Sequence, residues 1–239
     1  MNDKSENRTC WDCQGDFPWA PTTSYQSAPR LCPQCTEKAI AANLRQARAK
    51  LREAITECTP ARFQATDCTH PDFRQSLWQR VKRWRPTAER PWLGLIGPTG
   101  ACKTRVGFMV FHEAALDMIR AGPTPDIMPR CPSVAAVSAY QLAQAVSELA
   151  GDAKKTAADF LQRMARVRIL LIDDLGKQRN TQATANHMFA ILDSRHAENL
   201  CTIWTSNLSP QEIVAGMPED MAAPLAGRIM ECSTIISTE

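Results

Sequence analysis

The sequence predicts an α/β fold, a parallel β-sheet flanked by helices, with a small cysteine-rich appendage at its N-terminus. Three observations predict it. Short apolar runs alternate with stretches of helical periodicity from Trp92 onward, the pattern of strands joined by crossover helices. The first of these runs, WLGLI, enters a glycine-containing turn that opens a helix; parallel sheets collect such turns at the carboxyl ends of their strands. Two Cys-x2-Cys pairs precede all of this, in a segment rich in Pro, Ser and Thr without helical periodicity.

The 239 residues suit one ordinary domain with an appendage, at ~150 residues per domain. Hydrophobic residues make up 44% and charged residues 22%, so the chain can bury a core and is not compositionally disordered. The longest strongly apolar windows, Trp92–Ile96 and Ile169–Ile172, are far shorter than the ~20 residues that cross a bilayer. The N-terminal MNDKSENRTCWDC has no apolar stretch of a secretory signal. No membrane association is expected, and ten cysteines in a chain with no export signal point to a reducing cytoplasm, not a disulfide framework. The net charge of +3 is unevenly spread: residues 41–92 carry eleven basic and five acidic side chains.

The elements follow in order. From Thr36 the run EKAIAANLRQARAKLREAITE is rich in helix formers until Thr59-Pro60 stops it. Ala39, Ile40, Leu44, Ala47, Leu51 and Ile55 recur at three- and four-residue steps, and Arg45, Arg48 and Arg52 form another stripe. That stripe reads first as a solvated face, with a nucleic-acid contact as the alternative. In QSLWQRVKRWRPTAERPW, Trp78 and Trp84 alternate with Arg80, Lys82, Arg83 and Arg85. The segment suits either a grip on single strands by stacking and phosphate attraction or an amphipathic helix with its tryptophans on the core side. After the WLGLI strand, TRVGFMVFHEAALDMIRAG reads as a helix ending at Gly122, and PSVAAVSAYQLAQAVSELAG as a short strand and a helix. RVRILLIDDLG is a buried strand ending in acids, TQATANHMFAILDSRHAEN a helix, and LCTIWTSNLSP a strand ending in polar residues.

Four motifs carry chemistry. Cys10-x2-Cys13 and Cys32-x2-Cys35 offer four soft thiolates at zinc-ribbon spacing, against the blander reading of unrelated or disulfide-paired cysteines. Such a Zn2+ site is closed, hence structural, and the ribbon depends on its metal. Cys68-x-His70 has no evident partners and reads as ordinary. The second motif is the turn Gly97-Pro98-Thr99-Gly100-Ala101-Cys102-Lys103-Thr104-Arg105, between a strand and a helix. This is the context of a P-loop, whose backbone N–H groups and helix N-terminus face phosphates. Lys103 would neutralise the β- and γ-phosphates of a nucleoside triphosphate and the Thr104 hydroxyl would hold Mg2+. Cys102 stands where G-x4-G-K-[ST] has glycine, and a small side chain at negative φ fits such a turn. Third, Ile169–Ile172 followed by Asp173-Asp174 suits a Walker B strand. There Asp173 holds Mg2+ through water and Asp174 polarises the attacking water; alone, the run also suits a strand ending in a capped turn. Fourth, Asn207 ends a strand, suited either to orienting water or to forming the turn before Ser209-Pro210.

GPTGACKT, RILLIDDLGK, LDSRHAENLCTIWTSNL and LAGRIMECSTII, in this order and spacing, resemble the DnaC/IstB group of AAA+ ATPases, which includes replicative-helicase loaders and transposition helper ATPases. The resemblance covers roughly Pro60 to the C-terminus. It implies an AAA+ core with a reduced lid that binds ATP and Mg2+ between subunits, binds single-stranded DNA, and in loaders holds open a hexameric helicase. It also implies that Asn207 matches sensor 1 and Arg228 the arginine finger, with Arg195 a second candidate for a contact in trans. The expected layout is a zinc ribbon at 1–37, a linker helix at 38–59 and an AAA+ ATPase domain at 60–239. The expected function is an ATP-dependent helicase loader with weak turnover that delivers a replicative helicase and associates with itself. The rivals are an IstB-like transposition helper and, in another class, a non-hydrolysing nucleic-acid-binding switch.

Overall fold

The structure, a computed structural model, describes residues 6–20, 29–71, 73–119, 129–177, 181–215, 217 and 219–238. The chain forms two compact units, residues 1–50 with 119–131 and residues 51–118 with 132–239.

In the first unit, β1 (Glu6–Thr9) and β2 (Asp16–Trp19) make an antiparallel hairpin. Its register opposes Arg8 to Phe17 and Glu6 to Trp19, which puts these four on one face. Phe17 packs with the buried Cys10 and Cys35. Helix α1 (Pro33–Cys58) begins beside the second cysteine pair. Of its apolar stripe, Ala47, Leu51 and Ile55 are buried and Ala39, Ile40 and Leu44 half-buried; Arg45, Arg48 and Arg52 are exposed, as a solvated face requires.

The second unit takes in α1 from Leu51 onward, followed by α2 (Ala61–Gln64) and α3 (Gln75–Val81). Helix α3 buries Leu77 and Val81, while Trp78 and Trp84 are half-buried and Trp78 meets Phe73 edge-on at 6.2 Å. Arg80 donates to Ser237 O at 2.6 Å, and Arg85 pairs with Asp117. Arg80 and Arg85 are thus engaged inside this unit, while the core side of α3 is formed by Leu77 and Val81, not by its tryptophans, and Trp84 lies beyond the helix.

Then come β3 (Trp92–Ile96), α4 (Lys103–Asp117), β4 (Val134–Ser138), α5 (Ala139–Glu148), α6 (Lys154–Arg166), β5 (Ile169–Asp173), α7 (Gln182–Ala197), β6 (Cys201–Ser206), α8 (Pro210–Val214), α9 (Glu219–Cys232) and β7 (Ser233–Ser237). The strands form a five-stranded, wholly parallel sheet in the order β4-β5-β6-β3-β7. Ile169–Ile172 and all of β6 are buried, as expected for strands covered on both faces. Polar caps start three of the helices: Ser138 and Gln141 form a capping box on α5, Ser209 and Glu212 another on α8, and the Thr181 hydroxyl accepts from Thr184 N–H on α7.

The order inserts β6 between β3 and β5, so three carboxyl ends lie side by side, with Ile96 level with Ser206 and Ile172 level with Trp204. Gly94 makes this possible. A Cβ there would stand 2.2 Å from Trp204 Cζ2, and Trp204 is itself buried, its indole N–H donating to Ser233 Oγ at 3.0 Å.

Several details differ from the sequence reading, among them α2, α8 and α9, which fill stretches given no element. Helix α4 ends at Asp117; Gly122, where it was expected to end, lies outside the described residues. Helix α6 fills a stretch given no element, anchored by Ala157, Leu161 and Met164 on an otherwise polar sequence. The closing STIIS is a fifth strand, β7, paired along β3.

Candidate nucleotide-binding site

The loop after β3 turns on three residues at positive φ: Gly97 at 144°, Gly100 at 81° and Cys102 at 65°. Only glycine fits the first, where a Cβ would lie 1.8 Å from Thr238 Oγ1. Cys102 corrects the expectation of a residue at negative φ. It keeps the left-handed conformation that glycine supplies without steric cost, and its side chain makes no cap hydrogen bond to α4.

Lys103 opens α4 and is 6% exposed. Its Nζ donates to Gly97 O at 2.8 Å, Pro98 O at 2.8 Å and Asn207 Oδ1 at 2.9 Å, using all three ammonium donors. Burial pushes its pKa below the ordinary lysine value, against the pull of the Asp174 and Asp173 carboxylates. Asn207 Nδ2 donates in turn to Thr99 Oγ1 at 3.1 Å, so the end of β6 is tied to two residues of the loop.

Asp173 ends β5. Its Oδ1 accepts from Thr104 Oγ1 at 2.8 Å and from Thr205 Oγ1 at 2.6 Å. Mg2+ takes oxygen ligands and keeps several waters, so the Thr104 hydroxyl and Asp173 carboxylate, already in contact, fit such an ion. Asp174 stands at φ 58°, its N–H donating to Thr205 Oγ1 at 3.0 Å and its carboxylate paired with Lys177 at 2.9 Å.

Lys103, Thr104, Asp174 and Asn207 border a cavity of about 620 Å³, lined also by Arg62, Phe63, Pro71, Phe73, Arg74, the rest of residues 99–105 and Lys177. Five cationic side chains and one carboxylate line it, a balance that suits a polyanion. The sequence reading missed Arg62, Phe63, Arg74 and Lys177. Phe63 stacks on Phe108 of α4 at 5.3 Å with the Arg62 guanidinium 4.4 Å from its ring; the Phe63 and Arg74 contributions come from before β3, where no motif marks them.

The two arginines that the resemblance put forward lie outside this cavity. Arg228, on α9, pairs with Asp193 at 2.7 Å and lies 4.9 Å from the Phe189 ring. Arg195 is not a surface residue available to another subunit. It is fully buried, donating from Nε to Thr202 Oγ1 at 2.8 Å, from Nη1 to Met164 O and Val167 O at 2.9 and 2.8 Å, and from Nη2 to Cys201 O. Burial lowers its pKa to about 10 and raises that of Cys201 to about 12.

In the first unit, the sulfurs of Cys10, Cys13, Cys32 and Cys35 all lie within 4.8 Å of one another. All ten cysteines are free thiols. Cys13 and Cys32 sulfurs are 3.8 Å apart, matching the roughly 3.8 Å between thiolates of a tetrahedral site with Zn–S near 2.3 Å. The backbone N–H groups of Cys13 and Cys32 lower the Cys10 pKa to about 6, while Asp12 and the neighbouring thiols push Cys35 up. The donor set fits zinc.

A family model described as IstB-like ATP binding protein matches residues 36–239. The chain belongs to this family. No curated protein matches it. Among solved structures it is similar to DnaI, at 21% identity and TM-score 0.55 over 76% of this chain and 92% of that one. It is also similar to the DnaC helicase loader, at 17% and 0.51 over 69% and 86%, and to AMPPCP-bound DnaA from Aquifex aeolicus, at 20% and 0.50 over 69% and 45%. The chain thus spans less than half of that DnaA chain. At these identities the likeness is one of fold, a five-stranded parallel sheet flanked by helices as in AAA+ proteins. Among the described residues no helix is long and apolar enough to cross a membrane.

Proposed function

We propose that this IstB-like family member is an ATPase that acts as a helicase loader, locking neighbouring subunits around single-stranded DNA and delivering a hexameric replicative helicase. The observation that carries the reading is the meeting of Lys103, Asn207, Thr104 and Asp173 at three adjacent strand ends beside a cationic cavity. Lys103 exchanges its loop carbonyls for the β- and γ-phosphate oxygens, and the N–H groups opening α4 face the same phosphates. Thr104 and Asp173 hold Mg2+, which when bound neutralises phosphate charge. Asp174 polarises the attacking water and Asn207 orients it. Arg228, matched by resemblance to the arginine finger, leaves Asp193 to reach a neighbour's nucleotide.

The four cysteines bind zinc, and the ribbon contacts the helicase or DNA. Deleting residues 1–40 without loss of helicase binding refutes that role. The test of the loader reading is a pull-down against the host's replicative helicase with ATP and with ADP, alongside turnover measured with and without single-stranded DNA. Nucleotide-dependent capture and DNA-stimulated turnover support it.

The family match supports a second reading, an IstB-like transposition helper acting on duplex DNA with a transposase. Capture of a transposase on duplex DNA, with no capture of helicase, decides for it. Turnover no greater than that of Lys103→Ala decides for a non-hydrolysing nucleic-acid-binding switch.

A further inference from the structure

Lys103 is the one cation of the cavity with a part in the roles given above, and of the other four Lys177 lies against a carboxylate of the site. Lys177 Nζ lies 2.9 Å from Asp174 Oδ1, with the two side chains 48% and 39% exposed. A tight turn holds them together: Lys177 N–H donates to Asp174 O at 3.2 Å, and Asp174 and Gly176 both stand at positive φ. Both side chains line the cavity that holds Lys103. Asp174 directly follows Asp173, whose carboxylate touches the Thr104 hydroxyl, so the pair sits on the side of the cavity where the metal ligands meet.

An ion pair this exposed is screened by water and easily exchanged. A triphosphate offers several charges and multiple acceptor oxygens where Asp174 offers one charge, and hydrogen bonds between ammonium and phosphate are among the stronger ones. The Lys177 ammonium also opposes that of Lys103, a repulsion that an anion between them relieves.

We propose that Lys177 is a second phosphate-binding residue acting in cis. It covers Asp174 when no triphosphate is bound and moves onto the terminal phosphate when one is, which frees the Asp174 carboxylate for water. Lys177 thereby distinguishes ATP from ADP, since the diphosphate lacks the group that draws it away. The inference rests on the cavity being an ATP site.

The test is equilibrium binding of Mg-ATP and of Mg-ADP to the full chain and to Lys177→Gln, Lys177→Arg and Lys103→Ala. Lys177→Gln is expected to weaken ATP binding about tenfold while leaving ADP within about twofold, and Lys177→Arg to restore most of the preference. Equal losses for the two nucleotides, or no loss, overturn the proposal while leaving the ATP site intact. A wild-type chain that binds neither nucleotide, or a Lys103→Ala variant that binds both normally, overturns the ATP reading and this proposal with it.

Discussion

Replacing Arg195 with methionine removes a buried guanidinium while keeping most of the side chain's volume. Four acceptors lose their donor: the carbonyls of Met164, Val167 and Cys201, and the hydroxyl oxygen of Thr202. Each abandoned acceptor costs about 1–3 kcal/mol. Against this, the folded state no longer carries a desolvated charge, the effect that lowers the Arg195 pKa to about 10. The abandoned acceptors outweigh the relieved desolvation, and a net destabilisation of about 3 kcal/mol is expected here. At about 2–4 °C per kcal/mol for a domain of this size, the melting temperature should fall by roughly 10 °C. Urea unfolding followed by tryptophan fluorescence reads this directly, because Trp92 and Trp204 are both buried in the sheet. Lys at this position keeps the charge but loses the planar fork, so Arg195→Lys should fall between the two. An unchanged urea midpoint for Arg195→Met, with turnover lost in oligomers mixed with wild-type subunits, would refute the reasoning and return Arg195 to a role in trans.

Cys102→Gly relieves a left-handed residue at a gain of about 1 kcal/mol, offset by up to about 1 kcal/mol of added freedom in the unfolded chain. Melting should therefore move by only a few degrees and ATP affinity should hold; lost affinity would show that the thiol itself serves the ligand. Metal analysis should find one zinc per chain, and a strong chelator should abolish hydrogen-exchange protection in the β1–β2 hairpin; full protection after metal removal contradicts a structural zinc. Gly94→Ala drives a methyl into the ring of the buried Trp204 and should cost about 3 kcal/mol in chemical denaturation. An unaltered midpoint means that β3 and β6 can separate at no cost.

The elements of the fold that the sequence discloses are those whose signals are local. Ile169–Ile172 is apolar at every position because it is covered on both faces, and the glycine turn before Lys103 is written in consecutive residues. Helix α6 leaves little local signal because three apolar side chains anchor it on a polar background, and β7 because only Ile235 and Ile236 of its five residues are strongly apolar. The backbone at Cys102 departs from its local expectation for another reason. Residue size suggested negative φ, but the loop geometry that brings Lys103 beneath its own carbonyls sets the conformation. Arg195 illustrates the limit of local reading, since its partners on Met164 and Val167 lie 31 and 28 residues away. At the site, Lys103, Thr104, Asp173 and Asn207 were each legible as residues ending or following strands. Their convergence depends on β6 lying between β3 and β5, which no local pattern specifies. Arg74 reaches the cavity from a segment without a motif, and Lys177 closes the RILLIDDLGK motif without itself signalling a role.

Calorimetric titration of Mg-ATP into wild type, Lys103→Ala and Asp173→Asn tests the shared site most directly. The account predicts that wild type binds, that Lys103→Ala loses affinity by roughly tenfold or more, and that Asp173→Asn weakens binding only when Mg2+ is present. Equal affinity in all three proteins, with or without Mg2+, would contradict it.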